Sequence, residues 1–189
     1  MTQPELYYSL PSAVTKNTYT TQAPISAIAS SSIPRCMIPA EYFSVIGKSI
    51  HFEANGTIAN TSAATFVFAA GLDAVAGTIG GTGGATLFTA PAVTPTASIT
   101  CLWTMEYDIV CQAVGSLGTT LEIDGEIDLS TVATNTWQTS GTKQLLMNQS
   151  TLTGLSNEIN LWLELFGTWS ASSASNTTTL KQFKVYLEN

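Results

Sequence analysis

The sequence predicts an all-β protein, an antiparallel β-sandwich of jelly-roll-like type, and three observations carry that prediction. First, the run Leu121-Glu122-Ile123-Asp124-Gly125-Glu126-Ile127-Asp128-Leu129 alternates without a break between an apolar or small residue and a carboxylate. A pleated strand places all of those carboxylates on one wet face at about 7 Å spacing, whereas a helix would scatter them around its circumference. Second, further period-2 stretches follow one another, separated by Gly-, Ser- and Pro-rich connections. Third, no long stretch shows the 3.6-residue period of an amphipathic helix. Many short strands and no helix to cover a sheet imply two sheets packed on each other.

Residues 1–40 hold five of the seven prolines (Pro4, Pro11, Pro24, Pro34, Pro39) and no sustained periodicity. Proline removes ladder donors and resists helix, so this segment reads as an extended N-terminal arm ahead of a sandwich domain at 41–189. Leu6, Tyr7, Tyr8, Leu10, Ile25, Ile28, Ile33, Met37 and Ile38 are too apolar for a solvated linker. They are the candidate partner-binding residues, with the arm lying along its own domain or a neighbouring subunit. The alternative is a first strand plus coil packed on the same chain.

From Glu41 onward the strand signals come in sequence. Lys48 to Ala54 alternates Ile50, Phe52 and Ala54 against Ser49, His51 and Glu53, and Asn55-Gly56 reads as a hairpin-type turn. Thr65 to Ala70 is a short aromatic and β-branched run, and residues 77–84 read as a mobile, glycine-rich surface loop. Ser98 to Cys111 places Ile99, Cys101, Trp103, Met105, Tyr107, Ile109 and Cys111 on one face, and a turn at Gly115 to Gly118 leads into the acidic-faced strand, suiting an antiparallel hairpin. Ile159 to Trp169 reads as a strand buried on both sides, with a helix as the alternative because Leu and Glu are good helix formers. Thr179 to Leu187 alternates again.

Composition narrows the function classes. Only 10% of residues are charged, against about 25% in an ordinary soluble domain, which lowers the desolvation and entropy cost of contact with neighbours. Net charge is −7 and the six basic residues, Lys16, Arg35, Lys48, Lys143, Lys181 and Lys184, are thinly spread. Nucleic-acid binding is not expected from such a surface. No apolar run of about 18 residues exists to span a membrane, and Met1 to Glu5 lacks the basic start of a secretory signal. Cys36, Cys101 and Cys111 form no CxxC pair, and Cys101 and Cys111 on one strand would lie about 33 Å apart, so buried free thiols are expected. That suits synthesis in a reducing cytoplasm. The sequons at Asn55, Asn60, Asn148 and Asn176 carry no weight in a Ser/Thr-rich chain.

The candidate chemistry is thin. His51, the single histidine, has no second ligand at metal spacing and reads as a surface strand residue. The carboxylates of 122–128, with Glu106 and Asp108, are of the type that binds a hard cation or forms a glycosidase pair, but side chains 7 Å apart (about, along one strand) cannot all reach one ion. A solvated or intersubunit polar face is the reading preferred. The 77–84 loop has no Walker lysine, and the serines lack a nucleophile elbow. Trp103 and Trp169 fall on apolar faces and read as core, while Trp137 is expected near a surface. No catalytic, metal or cofactor-binding residue is assigned, no cofactor is expected, and the chain is not expected to be an enzyme.

Three segments resemble a group of tailed-bacteriophage (siphovirus-type) virion proteins. They are Tyr42-Phe43 with Gly47-Lys48 and Gly56; Trp103-Thr104-Met105-Glu106-Tyr107-Asp108-Ile109-Val110-Cys111; and Ser172-Ser173-Ala174-Ser175-Asn176-Thr177 with Gln182-Phe183 and Leu187-Glu188-Asn189. The resemblance runs from Glu41 to the end and leaves the arm outside it. Members of that group look like structural components of the particle, either head decoration (cement) proteins or minor tail proteins, and the resemblance carries over no catalytic residue.

The expectation is therefore a structural virion protein, made in the host cytoplasm, that binds the outer head surface as a homo-oligomer. A homotrimer contacting the major capsid protein is expected, with residues 1–40 adding strands at subunit junctions. Removing residues 1–35 is then expected to abolish capsid binding and leave the sandwich folded. The alternative is a tail or fibre module recognising a host-surface glycan, with Trp137 and the 77–84 loop near the contact.

Overall fold

The computed structural model describes residues 5–26, 35–60, 64–81, 84–95, 97–115, 118–130 and 143–188, with backbone alone for 143–149. Twelve strands lie within them: β1 (Glu5–Ser9), β2 (Val14–Asn17), β3 (Ala23–Pro24), β4 (Cys36–Ile38), β5 (Ser49–Ala59), β6 (Phe66–Asp73), β7 (Ala85–Thr89), β8 (Thr100–Gly115), β9 (Gly118–Ser130), β10 (Lys143–Leu155), β11 (Leu161–Trp169) and β12 (Thr177–Glu188). They form two antiparallel sheets. The first runs β1/β2, β12, β5, β8, β9, β10; the second runs β3/β4, β11, β6, β7. Among the described residues there is no helix. The antiparallel β-sandwich expected from the sequence is the fold.

Alternation decides which side of each strand is dry. Ile50, Phe52, Ala54 and Ile58 of β5 face inward beside Cys101, Trp103, Met105, Tyr107, Ile109 and Cys111 of β8, and beside Leu121, Ile123, Ile127 and Leu129 of β9, all buried. The second sheet answers with Phe66, Phe68, Ala70 and Leu72 of β6 and Leu161, Leu163, Leu165 and Trp169 of β11. Aromatic rings join the layers: Phe88 stacks on Tyr107 with centroids 4.1 Å apart, and Phe68 meets Trp103 at 5.0 Å. Each large apolar side chain removed from water contributes about 1.5–3 kcal/mol, so this interior is the main force holding the sheets together. Cys36, Cys101 and Cys111 are buried thiols in no disulfide, as expected.

The expected hairpin of β8 and β9 is present, with Ile109 opposite Ile123 and Gly115 opposite Gly118. The 159–169 segment is strand, not helix, because β6 and β4 hydrogen-bond to its two sides. Asn55-Gly56 is not a turn. Both residues lie inside β5, and Gly56 faces inward where a Cβ would run into the Thr179 carbonyl and crowd Trp103. The glycine is there for close approach of β12, which bulges opposite it between Leu180 and Gln182.

The N-terminal segment is built into both sheets. β1 and β2 lie along the same side of β12, pairing Glu5 with Leu187 and Val14 with Leu180, and Leu10 N donates to Phe183 O at 2.8 Å between them. Pro11 interrupts what would otherwise be one edge strand. The chain then crosses to the second sheet, where β3 and β4 lie along one side of β11. Of the two placements open to the segment, along its own domain or a neighbouring subunit, its described strands take the first, at edges of their own chain's sheets.

Candidate functional site

The alternation that dries one side of the first sheet loads the other with charge. Register carries Lys184, Glu53, Glu106 and Glu126 directly across four neighbouring strands, and the next row carries Tyr186, His51, Asp108 and Asp124. Neighbouring strands lie about 4.8 Å apart, so the three glutamates of one row repel one another. They border a shallow hollow of about 180 Å³ lined by Glu53, Asn55, Thr104, Glu106, Glu126 and Asp128. Gln112 Nε2 donates to Glu122 at 2.5 Å further along the same face.

His51 sits within this field. Its Nδ1 lies 2.8 Å from Asp108 Oδ1, and a carboxylate only accepts, so Nδ1 carries the proton. Nε2 lies 3.6 Å from Glu53 and 3.8 Å from Glu106, and the ring leans on Tyr186. Partial burial works to lower the His51 pKa, but the hydrogen bond and charge of Asp108, with Glu106 and Glu53 behind it, outweigh burial and raise it. His51 thus donates to Asp108 within an acidic surface and, when protonated, is its counter-charge. Among the described residues no group of three or more His, Cys, Asp or Glu is arranged to hold a metal ion.

The second sheet carries carboxylates on its outer side too, and these are sealed. Glu164 accepts from Arg35 Nη1 and from Gly77 N, while Asp73 accepts from Val75 N at 3.1 Å and Gly81 N at 2.6 Å. The described part of the glycine-rich segment is therefore pinned to the sheet, with Ile79 over Gly71. Burial would raise the Asp73 pKa, but the backbone donors of Val75 and Gly81 bring it below the ordinary range. At Glu164 burial prevails over Gly77 and Arg35, and the pKa is raised.

The candidate arm residues separate into three groups. Leu10, Ile25 and Ile38 are in the common core, and Tyr8 is packed against it. Their apolar character serves the chain's own sheets, which withdraws them from any partner in this conformation. Leu6 and Tyr7 are exposed, with Tyr7 Oη donating to Met37 O at 2.6 Å, and Met37 is half-buried. Ile28 and Ile33 lie outside the described residues, as does Trp137. Trp103 and Trp169 are core, as expected, and Trp162 is half-buried on the outer side of β11.

No protein-family model and no curated protein matches the chain. Among solved structures it is similar to arcelin-5, a lectin-like defense protein from Phaseolus vulgaris, at 10% identity and a TM-score of 0.42, over 96% of this chain and 97% of that one. A legume lectin-like domain from Entamoeba histolytica is similar at 8% identity and a TM-score of 0.31, over 93% and 89%. Likeness at this distance transfers neither ligand nor activity.

Sequence reasoning located the acidic face through its alternation but not the Arg35–Glu164 pair, whose partners are 129 residues apart in the chain. The available signal was Glu164 itself, a carboxylate inside an otherwise apolar strand, which demands a partner.

Proposed function

We propose that this chain is a structural virion protein that decorates the outer surface of a phage head and stabilises contacts between capsid subunits. Its partners are the major capsid protein and further copies of itself, as a trimer, and it performs no catalysis. The reading rests on the resemblance of three segments to phage virion proteins, and the places those residues take in the fold are what support it. Phe43, Trp103, Tyr107, Cys111 and Phe183 are buried, Gly56 admits β12, and Asn176 is fully buried with Nδ2 donating to Ala171 O at 2.7 Å. Tyr42 Oη lies 2.6 Å from Ser49 O and 3.0 Å from Glu188 O, tying the turn at 41–47 to the last strand. These are fold-building positions, while others of the same segments, among them Thr104, Glu106, Asp108 and Ser172, are exposed, so the segments supply both core and surface of the sandwich.

The mechanism differs from strand addition by a free arm. Residues 5–17 and 23–38 hold edges of the chain's own sheets wherever they are described, so stapling falls to surfaces that the folded sandwich leaves open. Removing residues 1–35 is accordingly expected to unfold the sandwich, with loss of the cooperative thermal transition, since it strips Leu10, Val14 and Ile25 from the core. A truncated chain that melts normally contradicts this. The reading itself is tested by mass spectrometry of purified particles: many copies per head support it, a few copies at the tail favour a glycan-recognising tail module, and absence refutes both.

A further inference from the structure

The large apolar side chains that stay exposed are not scattered. Among the described residues they are Leu6, Tyr7, Val45, Ile46, Val75, Val114 and Ile159, from 38% to 65% accessible. Register and hydrogen bonds put them all at one end of the sandwich. Leu6 pairs with Tyr186 near the end of β12, and Gly47 N donates to Cys111 O, which sets Val45 and Ile46 beside the β8–β9 tip that carries Val114. Glu41 N donates to Asn157 O and Ala40 N to Asn160 Oδ1, which brings the turn holding Ile159 to the same end. Val75 follows Asp73, opposite Trp162 at the start of β11. At the other end, the connection 170–176 carries Ser170, Ser172, Ser173 and Ser175.

We infer that this end is a docking surface for a protein partner presenting apolar side chains bordered by lysine or arginine. Exposed apolar side chains gathered at one end of a stable domain, with the opposite connection rich in serine, point to an interaction site. The turn is also held ready: Phe43 is buried beneath it, Tyr42 anchors it, and Cys111 N donates to Lys48 O at 2.9 Å. Val45 and Ile46 therefore lose little freedom on contact.

Charge selects the partner. Glu5, Glu41 and Glu158 are exposed around the end, while Lys48 lies over the Tyr42 ring at 5.2 Å and Arg35 is paired with Glu164. A second copy docking end to end would set these carboxylates against their own counterparts, in a chain of net charge −7. A basic-rimmed apolar surface is complementary instead. The inference deepens the decoration reading by assigning the shell-facing end, and rests on it only for the location of the partner.

An amphipathic peptide of leucines and lysines serves as the probe, titrated into the full chain labelled with ¹⁵N. Shift changes centred on residues 5–7, 41–47, 75, 114 and 156–160 are expected. Ile46→Asp should weaken binding about tenfold, and the charge reversals Glu41→Lys with Glu158→Lys should weaken it and flatten its salt dependence. Shifts centred on Glu53, Glu106 and Glu126 would overturn the assignment, as would sedimentation showing a dimer of the free chain that Ile46→Asp dissolves. Because no particle is used, a positive titration with the chain absent from virions would retire the decoration reading alone. Particle binding unchanged by Ile46→Asp would retire the docking end alone.

Discussion

The outer sides of the two sheets put the same functional group to opposite uses. On the second sheet, Asp73 and Glu164 are 1% and 2% accessible, and each is answered by backbone N–H groups or by Arg35. On the first, Glu53, Glu106 and Glu126 lie in one row open to solvent, with side chains 44% and 66% accessible for the first two and, among the described residues, only His51 Nε2, at 3.6 and 3.8 Å from those two, drawn toward them. A carboxylate on a strand is therefore neither a site nor a defect until its partners are known. Buried and partnered, it fastens a loop; exposed and clustered, it sets the surface potential.

Breaking the sealed side should have the largest effect. Arg35→Met leaves Glu164 buried without its cation and is expected to cost about 3 kcal/mol in urea unfolding. A loss under about 1 kcal/mol would mean the pair contributes little. Asp73→Asn comes next, at about 1–2 kcal/mol, because two backbone donors lose a charged acceptor. Since its folded pKa is depressed, the Asp73 contribution is present above the unfolded value of about 3.9 and is lost as pH falls through the folded one. The variant and the parent should converge in strong acid.

On the open side the sign reverses. Glu106→Gln removes the middle charge of three and is expected to stabilise the fold by a few tenths of a kcal/mol (roughly), an effect that added salt erases. His51→Gln should act least. The His51 pKa is raised by its carboxylates, so its stabilisation is fully present below about 6.5 and disappears as pH rises through the folded value. Thermal melts should separate parent and variant below neutral pH and superimpose in mild alkali; a gap that persists in alkali would mean that packing on Tyr186, not charge, is the contribution.

The sequence made much of this legible, for reasons that differ by region. β5, β8, β9 and β12 were readable because each has one wet and one dry face, and period 2 is the direct trace of that geometry. β11 was readable as a strand buried on both sides, although its outer cover, the segment from Ala74 to Gly81, was not. β10 escaped notice because Leu145 and Leu146 are adjacent and the run Asn148 to Thr151 is polar throughout, and β7 because it spans only Ala85–Thr89. The first forty residues were read through proline as an extended segment lying along either its own domain or a neighbouring subunit, and register decides for its own domain where they are described, since no local pattern says whose edge a strand joins. Gly56 misled for the same reason: Asn-Gly is a turn signal by conformation, but here the missing Cβ matters through Thr179, 123 positions away in the sequence by number (about), a contact that local rules cannot see.

The most direct test of the account is an electron cryomicroscopy reconstruction of the phage particle at a resolution that traces strands. Copies of this sandwich are expected on the outer head surface, with Val45, Ile46, Val114 and Ile159 against the shell and the Glu53, Glu106, Glu126 face turned to solvent. A shell with no such density, or one contacted through the acidic face, would contradict it.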